Sequence, residues 1–185
     1  MPHLNSPHRR SPARRYLAVG CVALSAVGIL GCSPAPEPEP TPTPAFASKE
    51  EAFAAAEETY RAYNDALNSV DLSQPQTFEP LYALSSGSFE RADRENLSTM
   101  HAEEQSIAGT AKVISFMGID SVAPFTTTTA IVCLDVSEVV VKDANGNSLV
   151  RPDRPNVYGI EVSFELDGNE MLIHSAKRSA ERQCA

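Results

Sequence analysis

Residues 158–166 read Tyr-Gly-Ile-Glu-Val-Ser-Phe-Glu-Leu, so apolar and polar side chains alternate along this stretch. Alternation with a period of two is typical of a β-strand that buries one face and exposes the other. The apolar row is formed by Tyr158, Ile160, Val162, Phe164 and Leu166. The opposite row carries two glutamates and a serine, so the pattern predicts that the apolar face packs against other elements of the fold.

The sequence around this strand predicts a complete antiparallel sheet. From position 110 onward the β-branched fraction rises and the period becomes alternating, which indicates strands rather than helices. The predicted strands span residues 111–121, 127–142, 156–166 and 170–180. Asp143-Ala144-Asn145-Gly146 is typical of a turn, and Asp167-Gly168 predicts a tight hairpin between the last two strands.

The residues before position 110 have helical periodicity. Ser48-Lys49-Glu50-Glu51 is a capping box that begins a helix running to about residue 70, and its apolar residues recur at spacings of three and four. A shorter helical turn is predicted at 78–84. A third helix is predicted at 89–107, with Gly109 ending it.

Helices first and an antiparallel sheet afterwards is an α+β order. We therefore predict three N-terminal helices packed on a curved four-stranded antiparallel sheet in residues 48–185. With the Val132–Val136 strand, the Asp-rich turn after it and the penultimate Cys184, this order resembles the NTF2-like, cone-shaped α+β family.

The first 31 residues have the composition of an export signal. Residues 1–15 are polar and basic, and residues 16–31 form an uncharged apolar run that is short for a spanning helix. The run ends in Ile29-Leu30-Gly31-Cys32, which resembles the lipobox of bacterial lipoproteins and predicts that Cys32 is lipid-modified. A chance cysteine in an ordinary signal peptide and a retained anchor helix are the alternatives. Arg14-Arg15 leaves Sec and twin-arginine export both open.

Residues 32–47 form the predicted tether. Proline occupies every second position from Pro34 to Pro44, which excludes helix and sheet and favours an extended polyproline II spacer. A docking site for a proline-reading module is the alternative interpretation. The sequence therefore predicts a lipid-anchored domain on the extracytoplasmic side of the cell membrane. As a whole, the chain resembles exported bacterial lipoproteins that carry an NTF2-like domain behind a Pro-rich tether.

The charge of the predicted mature chain excludes one class of function. Residues 32–185 contain 11 basic and 24 acidic residues, a formal charge of −13. Nucleic-acid binders need clustered Lys and Arg to neutralise phosphates, so we expect no nucleic-acid partner. The same acidity disfavours electrostatic adhesion to anionic headgroups, so the predicted membrane attachment depends on the anchor at Cys32.

Two cysteines, Cys133 and Cys184, remain after cleavage and lipidation. In an oxidising compartment an even pair is expected to form a disulfide, here closing a loop of about 50 residues. A redox-active pair would favour a CxxC-type spacing, which these two residues lack.

The family resemblance implies a cavity under the cone, and some relatives, such as SnoaL-like cyclases and ketosteroid isomerases, use that cavity for proton transfer. We expect the cavity to be apolar, because Glu161 and Glu165 lie on the outward face of their strand. The predicted pocket residues are Tyr60, Tyr63, Tyr158, Ile160, Val162 and Phe164. We expect no Asp, Glu or His at its innermost part.

No catalytic, cofactor or metal motif stands out in the sequence. His101-Ala102-Glu103-Glu104 supplies at most two metal ligands, and zinc needs more. We therefore predict a non-enzymatic module that binds a small apolar ligand or a protein partner, without cofactor or metal. A SnoaL-like enzyme is the alternative.

Overall fold

In the computed structural model, residues 44–179 and 184 are described. The predicted signal segment 1–31, Cys32 and most of the tether lie outside these residues. Their roles therefore stay predictions.

The helices begin close to the predicted positions. Helix α1 spans Lys49–Asn68, and the Ser48 hydroxyl accepts a hydrogen bond from the Glu51 backbone N–H at 3.2 Å, as the capping box predicts. The Glu51 carboxylate accepts from the Ala47 N–H at 2.8 Å, one residue earlier than the usual reciprocal bond. A 3₁₀ turn at Pro75–Phe78 leads into the short α2, Glu79–Tyr82, and α3 spans Gly87–Ala102.

In the described part of the chain, six strands follow in two sheets. Their bounds are β1 Ser106–Ala108, β2 Lys112–Ser121, β3 Thr127–Asp135, β4 Val140–Lys142, β5 Val157–Asp167 and β6 Glu170–Arg178. The main sheet is antiparallel in the order β2-β3-β5-β6, while β1 and β4 form a separate two-stranded sheet. The predicted α+β architecture, three helices on a four-stranded antiparallel sheet, is confirmed.

Two predicted boundaries are wrong, and both errors arise because β1 pairs with β4, which is distant in the sequence. Helix α3 ends at Ala102 rather than 107, and the predicted strand 127–142 is divided into β3 and β4. The Arg154 guanidinium donates to the carbonyls of Val136 and Val139, both at 2.8 Å, and so holds the bend between those strands. Pairing of β1 with β4 is a long-range contact, which local periodicity cannot reveal.

The core lies between the helices and one face of the main sheet. In the predicted apolar row of β5, Val162 and Phe164 have no exposed surface, and Ile160 and Leu166 pack against the core. Tyr158 is only partly buried and does not belong to this core. Close packing of α1 on β2 depends on Gly118, since a Cβ there would lie 2.5 Å from Cγ of Phe53. Within the described part of the chain, no helix is long and apolar enough to cross a membrane.

The predicted disulfide is present. Cys133 of β3 is bonded to Cys184, with their Cα atoms 5.6 Å apart. Because Val132 and Leu134 belong to the core and side chains alternate along a strand, Cys133 lies on the outer face of the sheet. The bond therefore attaches Cys184 to the outer face.

Candidate functional site

The six predicted pocket residues fall into two groups. Tyr60, Tyr63, Val162 and Phe164 belong to the packed core, where the Tyr60 ring lies 6.1 Å from Tyr63 and 6.5 Å from Phe164, centroid to centroid. Tyr158 and Ile160 are only partly buried, and the Arg178 guanidinium lies 3.7 Å from the centre of the Tyr158 ring. Val162 and Phe164 have no exposed surface, so a ligand would reach them only if the core opened. The pocket formed by all six residues therefore stays a prediction.

A carboxylate that the sequence analysis did not single out lies beside these tyrosines. The Tyr63 hydroxyl donates a hydrogen bond to Oδ2 of Asp93 at 2.9 Å, joining α1 to α3. His101, which the sequence analysis considered as a metal ligand, lies elsewhere: its Nδ1 contacts the Leu72 carbonyl oxygen at 2.6 Å. The signal for Asp93 was its position four residues after Phe89 and four before Leu97, within the apolar stripe of α3.

Burial perturbs both groups of this pair. Desolvation raises the pKa of Asp93 to about 6, although the hydrogen bond from Tyr63 acts in the opposite direction. Burial, together with the charge of Asp93, raises the pKa of the Tyr63 phenol well above its usual value. The pair can therefore hold or release a proton on the carboxyl near neutral pH, while the phenol stays protonated.

A second cluster, formed by Ser86, His174 and Glu165, contains the residue types of a catalytic triad but does not have its geometry. His174 Nδ1 lies 3.2 Å from a carboxylate oxygen of Glu165 and 3.4 Å from the Ser86 hydroxyl oxygen. In a catalytic triad the serine and the carboxylate contact different ring nitrogens. Here both contact Nδ1, so no proton relay runs from serine to carboxylate.

An apolar notch lies at the C-terminal end of α1, against the β1–β4 sheet. Its volume is about 120 Å³. Its walls are formed by Leu67, Asn68, Val70, Ile107, Gly109, Ala111, Val139 and Val141. Asn68 closes one wall, because its side chain both donates to the Ala111 carbonyl and accepts from the Ala111 N–H, each at 2.9 Å.

The notch could not be predicted from the sequence. Ile107 was expected in a helix, and Val139 and Val141 in a continuous strand. Gly109 adopts φ of +85°, and a Cβ at this position would collide with the Glu138 carbonyl. The glycine predicted to end the third helix instead allows the chain to pass close to the turn before β4.

Larger clefts in the described part of the chain have polar rims. One of about 320 Å³ lies between α1 and the β5–β6 turn, with Glu58, Asn169 and Glu170 in its lining. Another, of about 240 Å³, lies between α1 and the start of β2. A further cleft of about 330 Å³ lies between β4 and the segment 148–156, with Arg151 and Arg154 in its lining. Among residues 44–179 and 184, no group of three or more His, Cys, Asp or Glu side chains is placed to hold a metal ion.

No protein-family model matches the sequence, and no curated protein matches it. Solved structures do match. The intermembrane space region of the chloroplast protein ARC6 is 12% identical, with a TM-score of 0.51 over 70% of this chain and 97% of that one. A protein from Novosphingobium aromaticivorans, provisionally assigned as an aromatic ring hydroxylase, is 9% identical, with a TM-score of 0.50 over 71% and 96%.

A provisionally assigned polyketide cyclase from Pseudomonas putida is 12% identical, with a TM-score of 0.36 over 69% of this chain and 92% of that one. At 12% and 9% identity, the likeness to the two structures with TM-scores of 0.51 and 0.50 shows the fold and leaves the activity open. The domain has an NTF2-like α+β fold.

Proposed function

We propose that the chain is a membrane-anchored extracytoplasmic lipoprotein whose NTF2-like domain is a non-enzymatic binding module. The Ile29–Cys32 lipobox and the Pro-rich tether support the anchor. The Cys133–Cys184 disulfide supports the location, because such bonds persist in oxidising compartments and are rare in the cytosol.

The composition of the notch wall carries the binding part of the proposal. Its eight lining residues include no Asp, Glu or His, and its only polar side chain, Asn68, is already bonded to the Ala111 backbone. Acid–base chemistry requires a titratable group within hydrogen-bond reach of the substrate. The notch lacks one and favours burial of an apolar group.

The size of the notch favours a protein partner over a free ligand. Pockets for drug-sized molecules have volumes of about 300–1,000 Å³, whereas the notch measures about 120 Å³. That volume suits one branched or aromatic side chain. Val140 and Leu149, which are 37% and 47% exposed, provide further apolar surface on neighbouring segments.

Two neighbouring valines of β4 give a matched test. Val141→Phe should fill the notch, whereas Val140→Phe places the same ring on an exposed side chain. With benzene as the probe, the melting temperature of the wild type and of Val140→Phe should rise, because a ligand that binds only the folded state stabilises it. The melting temperature of Val141→Phe should not respond. An equal rise in Val141→Phe would contradict the proposed site.

The Tyr63–Asp93 pair supports a second candidate, a SnoaL-like enzyme. It joins a phenol donor to a carboxyl whose pKa is raised to about 6. In that case a bound substrate would contact Asp93 and displace its hydrogen bond with Tyr63. Ligand-induced chemical-shift changes at Asp93, rather than at Val139 and Val141, would favour the enzyme.

A further inference from the structure

Strand β2 and the residue after it carry an exposed apolar surface, which we call the β2 strip. Its members are Ile114, Met117, Ile119 and Val122, with 55%, 46%, 46% and 68% of their surfaces exposed. They lie within nine consecutive positions along one edge of the main sheet. Four large apolar side chains grouped in this way typically mark an interaction surface.

The form of β2 disfavours a partner that adds a strand. The β2–β3 register shifts between Val113 and Ser115 and again between Gly118 and Asp120, so Ile114 and Ile119 occupy bulges. Bulges interrupt the regular row of backbone groups that an added strand would pair with. They leave the apolar side chains exposed, so the β2 strip favours a partner that buries side chains without pairing to the backbone.

The entry of the chain into the domain lies beside this strip. Phe53, in the second turn of α1, packs over Gly118 of β2, whereas Asn64 and Asn68 near the other end of α1 bind Ala111 just before β2. Helix α1 therefore runs antiparallel to β2. Its N-terminal end, where the tether enters, lies nearest to Ile119 and Val122.

The tether limits how far this edge can move from the bilayer. Cys32 and Pro44 are separated by 12 residues, which span at most about 37 Å as an extended polyproline helix at about 3.1 Å per residue. We propose that the β2 strip lies against the apolar–polar interface of the membrane in which Cys32 is anchored. This inference rests on the proposed lipid anchor.

The charges along β2 favour an apolar contact with the membrane over an electrostatic one. The segment from Lys112 to Val122 carries one basic residue, Lys112, and one acidic residue, Asp120. It therefore has no basic patch for anionic headgroups. The notch lies at the C-terminal end of α1, where Leu67 follows Phe53 by 14 residues, or about 20 Å at about 1.5 Å per residue. It is therefore closest to the Ile114 end of the strip and farthest from the end where the tether enters.

The absence of tryptophan from the sequence allows a direct test. Ile119→Trp introduces a single reporter on the β2 strip, and Leu149→Trp places the matched control at an equally exposed site, 47% against 46%, beside β4. The lipidated full-length variants are reconstituted into phosphatidylcholine vesicles with plain or brominated acyl chains. The emission of Ile119→Trp should shift to the blue and be quenched in brominated vesicles, because a side chain at the apolar–polar interface contacts the acyl chains. The emission of Leu149→Trp should not change.

Other outcomes separate the two proposals. If both variants remain vesicle-bound and Ile119→Trp gives the same emission in both lipids, the strip proposal is wrong and the anchor stands. A blue shift without quenching by bromine would instead show burial against a second copy, which also overturns the strip proposal. Loss of vesicle binding by both variants would overturn the anchor and, with it, the reach on which the strip proposal depends.

Discussion

The two edges of the four-stranded sheet are completed in different ways. At the β6 edge, Ser85 pairs with Ile173 as a short parallel bridge, and the Ser86 N–H donates to the Ile173 carbonyl at 2.8 Å. At the β2 edge two bulged isoleucines project outward and stay exposed. An unprotected apolar edge is a site of association. The chain covers the β6 edge, the closed edge, with its own backbone, and the apolar β2 edge, the open edge, stays available to an external partner.

The Cys133–Cys184 disulfide is a covalent link between β3, the neighbour of the edge strand β2, and a residue beyond β6. The double variant Cys133→Ala/Cys184→Ala should lose about 4 kcal/mol of unfolding free energy, since an open chain regains the entropy of a large loop. Urea unfolding of the variant and of oxidised wild type measures the difference. Equal midpoints and slopes would show that the bond does not stabilise the domain.

At the β2 edge, the close packing of α1 on the sheet requires a glycine at position 118. Gly118→Val should lower the free energy of unfolding by about 2–3 kcal/mol, because the new side chain would overlap the Phe53 ring in a packed region with little room to adjust. The control is a double-mutant cycle with Phe53→Ala. If removing the ring does not recover part of the loss, the contact between α1 and β2 is not the cause.

The closed edge can be tested at Gly87, which adopts φ of +59° directly beneath the His174 imidazole. Gly87→Ala should cost about 2 kcal/mol, from an unfavourable backbone conformation and from a collision with that ring. Gly146 is the matched control, since its φ is +85° and no atom lies within 4 Å of the place that an added methyl group would take. Gly146→Ala should cost about 1 kcal/mol. Thermal unfolding of both variants gives the difference, and equal losses would rule out a role for the His174 contact.

A smaller, pH-dependent effect on stability is expected at Asp93, which joins α3 to α1 through Tyr63. Its pKa is raised to about 6 in the folded state from an ordinary value of 3.8, so the folded protein binds the extra proton between these pH values. Stability from this group is therefore present at low pH and is lost as the pH rises through about 6. Asp93→Asn keeps an acceptor for Tyr63 and removes the charge.

The free energy of unfolding of Asp93→Asn, measured relative to wild type at the same pH, should rise by about 1 kcal/mol between pH 5 and pH 7. This value is below the full effect of the pKa shift, because the carboxyl is partly exposed and solvent screens it. Parallel urea titrations at the two pH values measure the change. A difference between variant and wild type that does not vary with pH would show that Asp93 is not the titrating group.

Local patterns predicted the parts of the fold that depend on neighbouring residues. The alternation at 158–166 and the Ser48 capping box were sufficient to place β5 and α1 with their correct faces. Ile107 fits a helical stripe as well as a strand, and only its pairing with Val141 decides between them. The notch and the Tyr63–Asp93 bond consist of such long-range contacts, so the sequence indicated an apolar site without locating it.

Attachment to the membrane through Cys32 is the central claim, because both the location and the contact of the β2 strip depend on it. The most direct measurement compares wild type with Cys32→Ser by membrane fractionation and by intact mass of the mature chain. We expect the wild type in the membrane fraction, cleaved before Cys32 and carrying acyl chains, and the variant released from the membrane. A variant that stays membrane-bound to the same extent, or a wild-type mass without acyl chains, would contradict the account.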